Sequence, residues 1–131
     1  MIVVDSSVWI GALANAVNPQ VGALFSIPDR TQILLGDVIM LEILRGVRSD
    51  AAARKVEGDL RRFELVQMMD AEIAVRAAEN YRRLRSVGIT IRNTVDLVIG
   101  TYCIEHGHQL LHRDRDFDHM EALGLKVYRP L

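Results

Sequence analysis

The sequence predicts an α/β fold, specifically a three-layer α/β/α sandwich around a central, mainly parallel sheet of four to five strands. Short, continuous apolar segments alternate along the chain with longer segments of helical period, and this alternation favours a parallel sheet with helices on both faces. The chain has 131 residues, 50% of them hydrophobic, which is enough for one core without disulfide or metal support. We therefore expect a single domain over residues 1–131.

The first half of the chain alternates strands and helices. MIVV predicts a strand covered on both faces, Asp5 ends it, and SSVWIGALAN predicts a helix with a hydroxyl or carboxylate cap. VGALFSI predicts a short helix and QILL a second strand, and the next helix carries Glu42 and ends near Gly46. SDAAARKVEGDLRRF then predicts another helix, and FELV a third strand.

Capping residues define the helices of the second half. Asp70 is expected to cap a long helix, AEIAVRAAENYRRLRSV, with Ile73, Ala77, Tyr81 and Leu84 on one side. Asn93 or Thr94 is expected to cap the apolar helix VDLVIGTYCIEH, which ends at Gly107. QLL predicts a fourth strand, HRDRDFDHMEALG a loop with a short helix, and KVY a fifth strand.

Composition argues against several classes of protein. No apolar run approaches the roughly 20 residues of a membrane span, and the apolar start lacks a basic segment, so we expect neither membrane insertion nor a signal peptide. The single cysteine, Cys103, suits a reducing cytoplasm and a place in the core. The net charge is −1, yet arginines are frequent from Arg45 to Arg92, where they form either a solvated helix face or phosphate contacts.

Four carboxylates are predicted at equivalent places, just past a strand or just inside a helix: Asp5, Glu42, Asp96 and Asp114. Sites in parallel sheets gather at the carboxyl ends of the strands. Each acid also has a simpler explanation. Asp5 could cap a helix, and Glu42 could form an ion pair with Arg45. Asp96 could stabilise the helix dipole, and Asp114 could belong to a solvated loop. Two of the four lie among hydrocarbon, where an unpaired charge costs several kcal/mol. Together they favour a site for Mg²⁺, with Mn²⁺ as a substitute.

Other metals fit less well. DRDFD resembles the start of a calcium-binding EF-hand loop, but the sixth position from Asp114 is His119 and the twelfth is Leu125, where Gly and Glu are needed. His112 and His119 could suggest zinc, but the chain has no cysteine pair and no HExxH motif.

Four segments, in this order, resemble the PIN-domain family and more narrowly its VapC ribonuclease toxins: MIVVDSSVWI, LEILRG, TVDLVIG and LLHRDRDFD followed by GLKV. The resemblance covers essentially the whole chain. It implies a PIN-like α/β/α sandwich and a Mg²⁺-dependent endoribonuclease that is the toxin of a toxin–antitoxin pair. It also implies a homodimer that a small VapB-like antitoxin silences within a hetero-oligomer.

Position by position, the resemblance assigns Asp5, Glu42, Asp96 and Asp114 to the catalytic acidic set, with Asp5 and Asp96 as direct metal ligands. Asp116 is the alternative to Asp114, because DRDFD leaves the register open. Water is then the expected nucleophile, giving 5′-phosphate and 3′-hydroxyl ends. The RNA stays open, with transfer RNA suggested by similar toxins and ribosomal or messenger RNA as alternatives.

Several further residues have two interpretations. Ser6 either caps its helix or donates to a carboxylate or phosphate. His112 stands where relatives carry a small polar residue, and it would bond Asp114, contact RNA or do neither. Trp9 and Tyr81 either stack on bases or pack in the core or an interface. Candidate phosphate contacts are Arg45, Arg92, Arg113 and Arg115.

Three other functions compete with a nuclease. A haloacid-dehalogenase-like phosphatase needs a second Asp two residues after Asp5, where Ser7 stands. A response-regulator receiver needs an Asp directly after its middle strand, and FELVQMMD places the first one too late. A non-catalytic RNA- or protein-binding module of the same fold is disfavoured by the presence of all four acids.

Overall fold

The computed structural model describes residues 1–130. In that part of the chain the strands are β1 (Ile2–Val4), β2 (Ile33–Gly36), β3 (Glu64–Val66), β4 (Gln109–Leu111) and β5 (Lys126–Val127). The α-helices are α1 (Ser6–Leu13), α2 (Pro19–Phe25), α3 (Asp37–Arg45), α4 (Asp50–Leu60), α5 (Ala71–Ser86), α6 (Thr94–His106) and α7 (Arg115–Met120). Short 3-10 turns precede β2 and follow α7.

The five strands form one sheet in the order β3-β2-β1-β4-β5, and every pair is parallel. β1 lies in the centre, where Val3 pairs with Leu34 on one side and Leu110 on the other. All three residues of β1 are buried, as its continuous apolar sequence predicted. Helices flank the sheet, with α5 packed on α6 and α1 packed on α2 and α3. The predicted α/β/α sandwich is confirmed, and its parallel strands bring all their carboxyl ends to one edge.

The boundaries differ from the sequence prediction in small ways. α1 ends at Leu13 rather than Asn15, and Gln32 belongs to a 3-10 turn, so β2 runs from Ile33 to Gly36. On α5 the buried polar position is Asn80, while Tyr81 is only half-buried. The Asn80 side-chain amide donates to the Thr101 hydroxyl at 3.1 Å and joins α5 to α6.

The core contains Trp9, for which base stacking was the other interpretation, and Cys103, which was expected there. Trp9 is buried, and its ring meets Phe63 edge-on at a centroid distance of 5.0 Å. Cys103 is fully buried, and burial raises the pKa of its thiol. Within residues 1–130, every helix is too short or too polar to cross a bilayer.

Candidate active site

Asp5 stands at the carboxyl end of the central strand and begins the first helix. Its backbone N–H donates to the Leu111 carbonyl at 2.9 Å, which ties this point to β4. Its Oδ2 accepts hydrogen bonds from the Ser7 amide at 3.2 Å and the Ser7 hydroxyl at 2.6 Å. Its Oδ1 is buried and has no partner. The cap interpretation is therefore correct for Oδ2, while Oδ1 takes no part in the cap.

Glu42 is buried on α3 and accepts a hydrogen bond from the Ser6 hydroxyl at 2.9 Å. An ion pair with Arg45 was the simpler explanation for this acid. Within residues 1–130 the ion pairs do not include it, and Arg45 is exposed. Ser6 does not cap α1, because Asp5 does so. Its hydroxyl is thereby free to support Glu42.

Asp96 is buried in the first turn of α6, whose cap is Asn93. Carboxylate oxygens of Asp5, Glu42 and Asp96 lie within 4.8 Å of one another. The structure thus brings together three of the four predicted acids, and it does so at the carboxyl edge of the sheet. All three are at least nine-tenths buried.

Asp114 caps α7, and its Oδ1 accepts the Asp116 amide at 2.9 Å. Both side chains are half-buried, and oxygens of Asp96, Asp114 and Asp116 form a second group within 4.8 Å. Asp96 is therefore common to both groups. The choice between Asp114 and Asp116 is not exclusive, because the start of one short helix brings both near Asp96.

The acids perturb one another strongly. Burial, reinforced by the negative charges of Asp5, Asp114 and Glu42, raises the pKa of Asp96 to about 8. Burial also raises the pKa of Asp5, with the charge of Glu42 adding to it and the hydrogen bonds from Ser7 opposing it. Like charges in a poorly solvated site destabilise the ionised state unless a cation joins them.

The donor set fits a hard divalent cation. The three-acid group offers oxygen ligands without sulfur or imidazole, which suits Mg²⁺ or Mn²⁺ better than zinc. The unpartnered Oδ1 of Asp5 is a buried acceptor in need of a positive partner. Asp5, Glu42 and Asp96 can therefore hold a metal ion, and Asp96, Asp114 and Asp116 form a second, less buried group of the same donor type.

His112 lies buried beside the second acidic group. Its Nδ1 accepts the backbone N–H of Asp114 at 3.2 Å, so it contacts the main chain of that residue and not its carboxylate. Its ring packs against Phe117 at 5.0 Å, and burial lowers its pKa. Its Nε2 has no hydrogen-bond partner and lies 3.8 Å from Asp118 Oδ1.

Three arginines that are close to the acids in the sequence are not neutralised by an ion pair. Arg92, Arg113 and Arg115 are exposed, and none takes part in an ion pair within residues 1–130. Arg113 and Arg115 line a cavity of about 300 Å³ that also includes Asp114. This arrangement keeps their guanidinium groups available to an anionic ligand.

Ser7 is a supporting residue that the sequence analysis did not assign. Its signal was local: a hydroxyl two residues after an Asp at a helix start commonly bonds that carboxylate. Gly100, one turn after Asp96, is a second supporting residue that was not assigned. It lets α7 approach α6 closely, because a Cβ at this position would overlap the Met120 side chain of α7. That close approach sets α7, and with it Asp114, against α6.

Comparison with known proteins agrees with this geometry. The PIN domain family matches residues 2–123. Ribonuclease VapC11 of Mycobacterium tuberculosis is 31% identical over 121 residues, covering 90% of each chain. VapBC2 from Rickettsia felis, solved with a promoter DNA fragment, shares the fold with a TM-score of 0.77 at 18% identity over 98% of each chain. Mycobacterium tuberculosis VapC20, described as a sarcin–ricin loop cleaving toxin, superposes with a TM-score of 0.67 at 19% identity over 99% of this chain and 100% of that one. The chain therefore belongs to the PIN-domain family and is of the VapC type.

Proposed function

We propose that the chain is a Mg²⁺-dependent endoribonuclease that hydrolyses RNA phosphodiester bonds as the toxin of a toxin–antitoxin pair, with residues 1–131 acting as one domain. Its relative VapC11 is named a ribonuclease. The observation that carries the proposal is the convergence of Asp5, Glu42 and Asp96 within 4.8 Å. An isolated structural role does not explain three buried carboxylates at one point.

In this proposal Asp5 and Asp96 bind the metal directly, and Glu42 completes the set from the position fixed by Ser6. A bound Mg²⁺ or Mn²⁺ would lower the pKa of a water and neutralise charge that develops on the phosphate. Oδ1 of Asp5 supplies a ligand atom that is already buried and unpaired. The Ser7 bonds to Oδ2 hold the same carboxylate in a fixed orientation.

In this proposal the second acidic group, in which Asp114 and Asp116 join Asp96, carries out the proton transfer. Oδ1 of Asp114 is occupied by the Asp116 amide, which leaves Oδ2 to accept a proton from an attacking water. Asp116 and Asp114 are half-buried, so a water can reach them. Attack by water in line with the leaving 3′-oxygen leaves 5′-phosphate and 3′-hydroxyl ends.

The substrate we propose is RNA with unpaired bases, because such strands fit a groove edged by arginines more easily than a duplex does. Arg92, Arg113 and Arg115 would contact phosphates beside the cut. Transfer RNA is the first candidate, and the sarcin–ricin loop, which VapC20 cleaves, is the second.

The partner we propose is a VapB-like antitoxin, in a hetero-oligomer built on a homodimer in the cytoplasm. Several solved relatives are toxin–antitoxin complexes. The chain offers apolar surface for such a partner on α1 and α2: the Phe25 side chain is exposed, and it edges a cavity of about 340 Å³ with Leu13, Trp9 and Phe63. Burial of this surface would stabilise a complex.

The experiment is to map RNA ends after a short induction of the chain in cells and, in parallel, to incubate the purified chain with the same RNA. We expect new 5′-phosphate ends, reproduced in vitro with Mg²⁺ or Mn²⁺ and abolished by EDTA. Asp5→Asn and Asp96→Asn should each lower the rate by orders of magnitude. RNA binding that is indifferent to EDTA, without cleavage, would instead support a non-catalytic module.

A further inference from the structure

Two adjoining cavities open beside the second acidic group. The first, of about 260 Å³, has walls that include Gln20, Ala23, Leu111, His112, Asp118 and Tyr128. The second, of about 300 Å³, contains Asp114 and the two flanking arginines. Both are lined by Gln20, His112 and Asp118, so they meet at these side chains. Asp114 lines the second cavity, so a strand whose phosphate lies beside Asp114 has the first cavity next to it.

His112 supplies an unmet donor at this junction. Because its Nδ1 accepts the Asp114 amide, its ring proton is on Nε2. That nitrogen is buried without a partner, and the side chain is 6% exposed. The nearest acceptor, Asp118 Oδ1, is 3.8 Å away, beyond hydrogen-bond distance. A buried N–H left unbonded costs about 1–3 kcal/mol, so a ligand atom that accepts from it is favoured.

The other walls suit a flat, polar-edged ring. Tyr128 is half-buried and Ala23 and Leu111 are buried, which gives the cavity an apolar and aromatic side. Gln20 adds an amide that can both donate and accept, and the exposed Asp118 carboxylate accepts only. Drug-sized ligands need roughly 300–1,000 Å³, so about 260 Å³ suits one ring system.

We propose that this first cavity is a base-binding subsite, which receives the unpaired nucleobase next to the scissile phosphate and reads its edge with Gln20, His112 and Asp118. The subsite rests on the proposed nuclease function and adds a determinant of sequence preference. Unpaired bases in RNA are commonly recognised in this way, by an aromatic or apolar wall together with hydrogen bonds to the base edge.

Guanine matches the three side chains best. It alone presents two adjacent N–H donors, which a carboxylate such as that of Asp118 accepts together, beside a carbonyl oxygen that accepts from an N–H such as His112 Nε2–H. Uracil and adenine offer a single donor group next to an acceptor, and pair less completely with a carboxylate. The structure therefore assigns a guanine preference to one position beside the cut.

The test first measures the base preference of wild type and Asp118→Asn on a pool of short RNAs randomised around one cleavage site. It then measures their cleavage rates on the preferred RNA, with and without an abasic residue at the selected position. We expect wild type to favour guanine there and to cut the abasic RNA roughly tenfold more slowly, as loss of one good base contact implies. Asp118→Asn should cut the intact RNA about as slowly as wild type cuts the abasic RNA, and should lose no further rate on the abasic RNA. Gln20→Ala should weaken the same preference.

The matched control is Asp59→Asn, which removes a carboxylate on the exposed side of α4 and should leave both rates and the preference unchanged. Equal wild-type rates on intact and abasic RNA would overturn the subsite and leave the cavity to a side chain of a protein partner. The subsite would also be overturned if Asp118→Asn lowered the cleavage rate by the same factor on the intact and on the abasic RNA.

Failure of the nuclease function itself has a separate signature, which is no EDTA-sensitive cleavage of any RNA by wild type. In that event, binding of the intact and abasic RNAs to Asp5→Asn, measured by fluorescence anisotropy, still decides the subsite. Roughly tenfold tighter binding of the intact RNA supports it, and equal affinities overturn it.

Discussion

Ser6 and Glu42 lie 36 residues apart in the sequence and are joined by a buried hydrogen bond, in which the Ser6 hydroxyl donates to the carboxylate at 2.9 Å. The bond links the helix after β1 to the helix after β2. It fixes the direction of Glu42 toward Asp5 and Asp96. The orientation of the acidic group therefore depends on a hydroxyl that lies outside that group.

Removal of that hydroxyl should weaken the site without removing any acid. In Ser6→Ala we expect metal affinity or cleavage rate to fall by about 10- to 100-fold, as is typical for loss of a group that orients a ligand. Binding of Mn²⁺ and initial cleavage rates measure it. Ser86→Ala, which removes an exposed hydroxyl bonded only to the Arg83 carbonyl, is the matched control. Equal losses in the two variants would contradict the positioning role.

The metal-free chain should become less stable as the pH rises. Burial and the neighbouring carboxylates raise the pKa of Asp96 from its ordinary value of 3.8 to about 8 in the folded chain, so between these two pH values the folded state holds a proton that the unfolded state releases. The contribution of this proton to the free energy of unfolding is complete below about pH 4 and is lost as the pH rises toward 8. Urea unfolding in EDTA at pH 5 and pH 8 measures the difference.

Asp96→Asn serves as the control for this titration, because an amide keeps the shape and has no charge to lose. We expect its unfolding free energy to change less between the two pH values than that of wild type. Added Mg²⁺ at pH 8 should restore stability to wild type and not to the variant. A wild type that is as stable at pH 8 as at pH 5 in EDTA would contradict the pKa of Asp96.

Two glycines in helices should respond oppositely to alanine. A Cβ at Gly100 would overlap the Sδ and Cε atoms at the flexible end of the fully buried Met120 side chain, so Gly100→Ala should lower the free energy of unfolding by about 1 kcal/mol, the lower end of the range for overpacking. A Cβ at Gly58 of α4 meets nothing within 4 Å, so Gly58→Ala should raise it by roughly 0.5–1 kcal/mol. Thermal or urea unfolding compares them, and the same sign in both would contradict the close packing of α7 on α6.

The exposed arginines should contribute to RNA binding through charge alone. Arg92→Gln, Arg113→Gln and Arg115→Gln should each weaken binding to all sequences similarly. Each should also reduce the slope of log affinity against log salt by about 0.7, as expected for one lost contact to a single strand. Arg54→Gln, on the exposed side of α4, is the control. A variant whose salt slope equals that of wild type does not contact phosphate.

Much of this architecture was predictable because the relevant signals are local. The buried strand at Ile2–Val4 follows from its continuous apolar sequence, and the caps Asp5, Asp70 and Asn93 stand where short polar side chains meet helical patterns. The meeting of Asp5 and Glu42 was predictable from topology, since each follows a parallel strand at one shared edge, and Asp96 joins them from the first turn of the helix that precedes β4.

The details that depend on side-chain direction were not predictable. Ser6 could cap or donate, and only the fold places its hydroxyl on Glu42, because Asp5 takes the cap. The register of Asp114 and Asp116 stayed open because both begin one short helix and both approach Asp96. For His112, no local rule selects the Asp114 amide as the donor to its ring.

The central claim is that a divalent cation binds between the carboxylates at the centre of the sheet edge, and titration of the purified chain with Mn²⁺, followed by electron paramagnetic resonance, tests it most directly. We expect saturable binding by wild type that Mg²⁺ competes away, and a loss of that binding in Asp5→Asn and in Asp96→Asn while the fold is retained. Mn²⁺ binding by both variants with the affinity of wild type would contradict the claim.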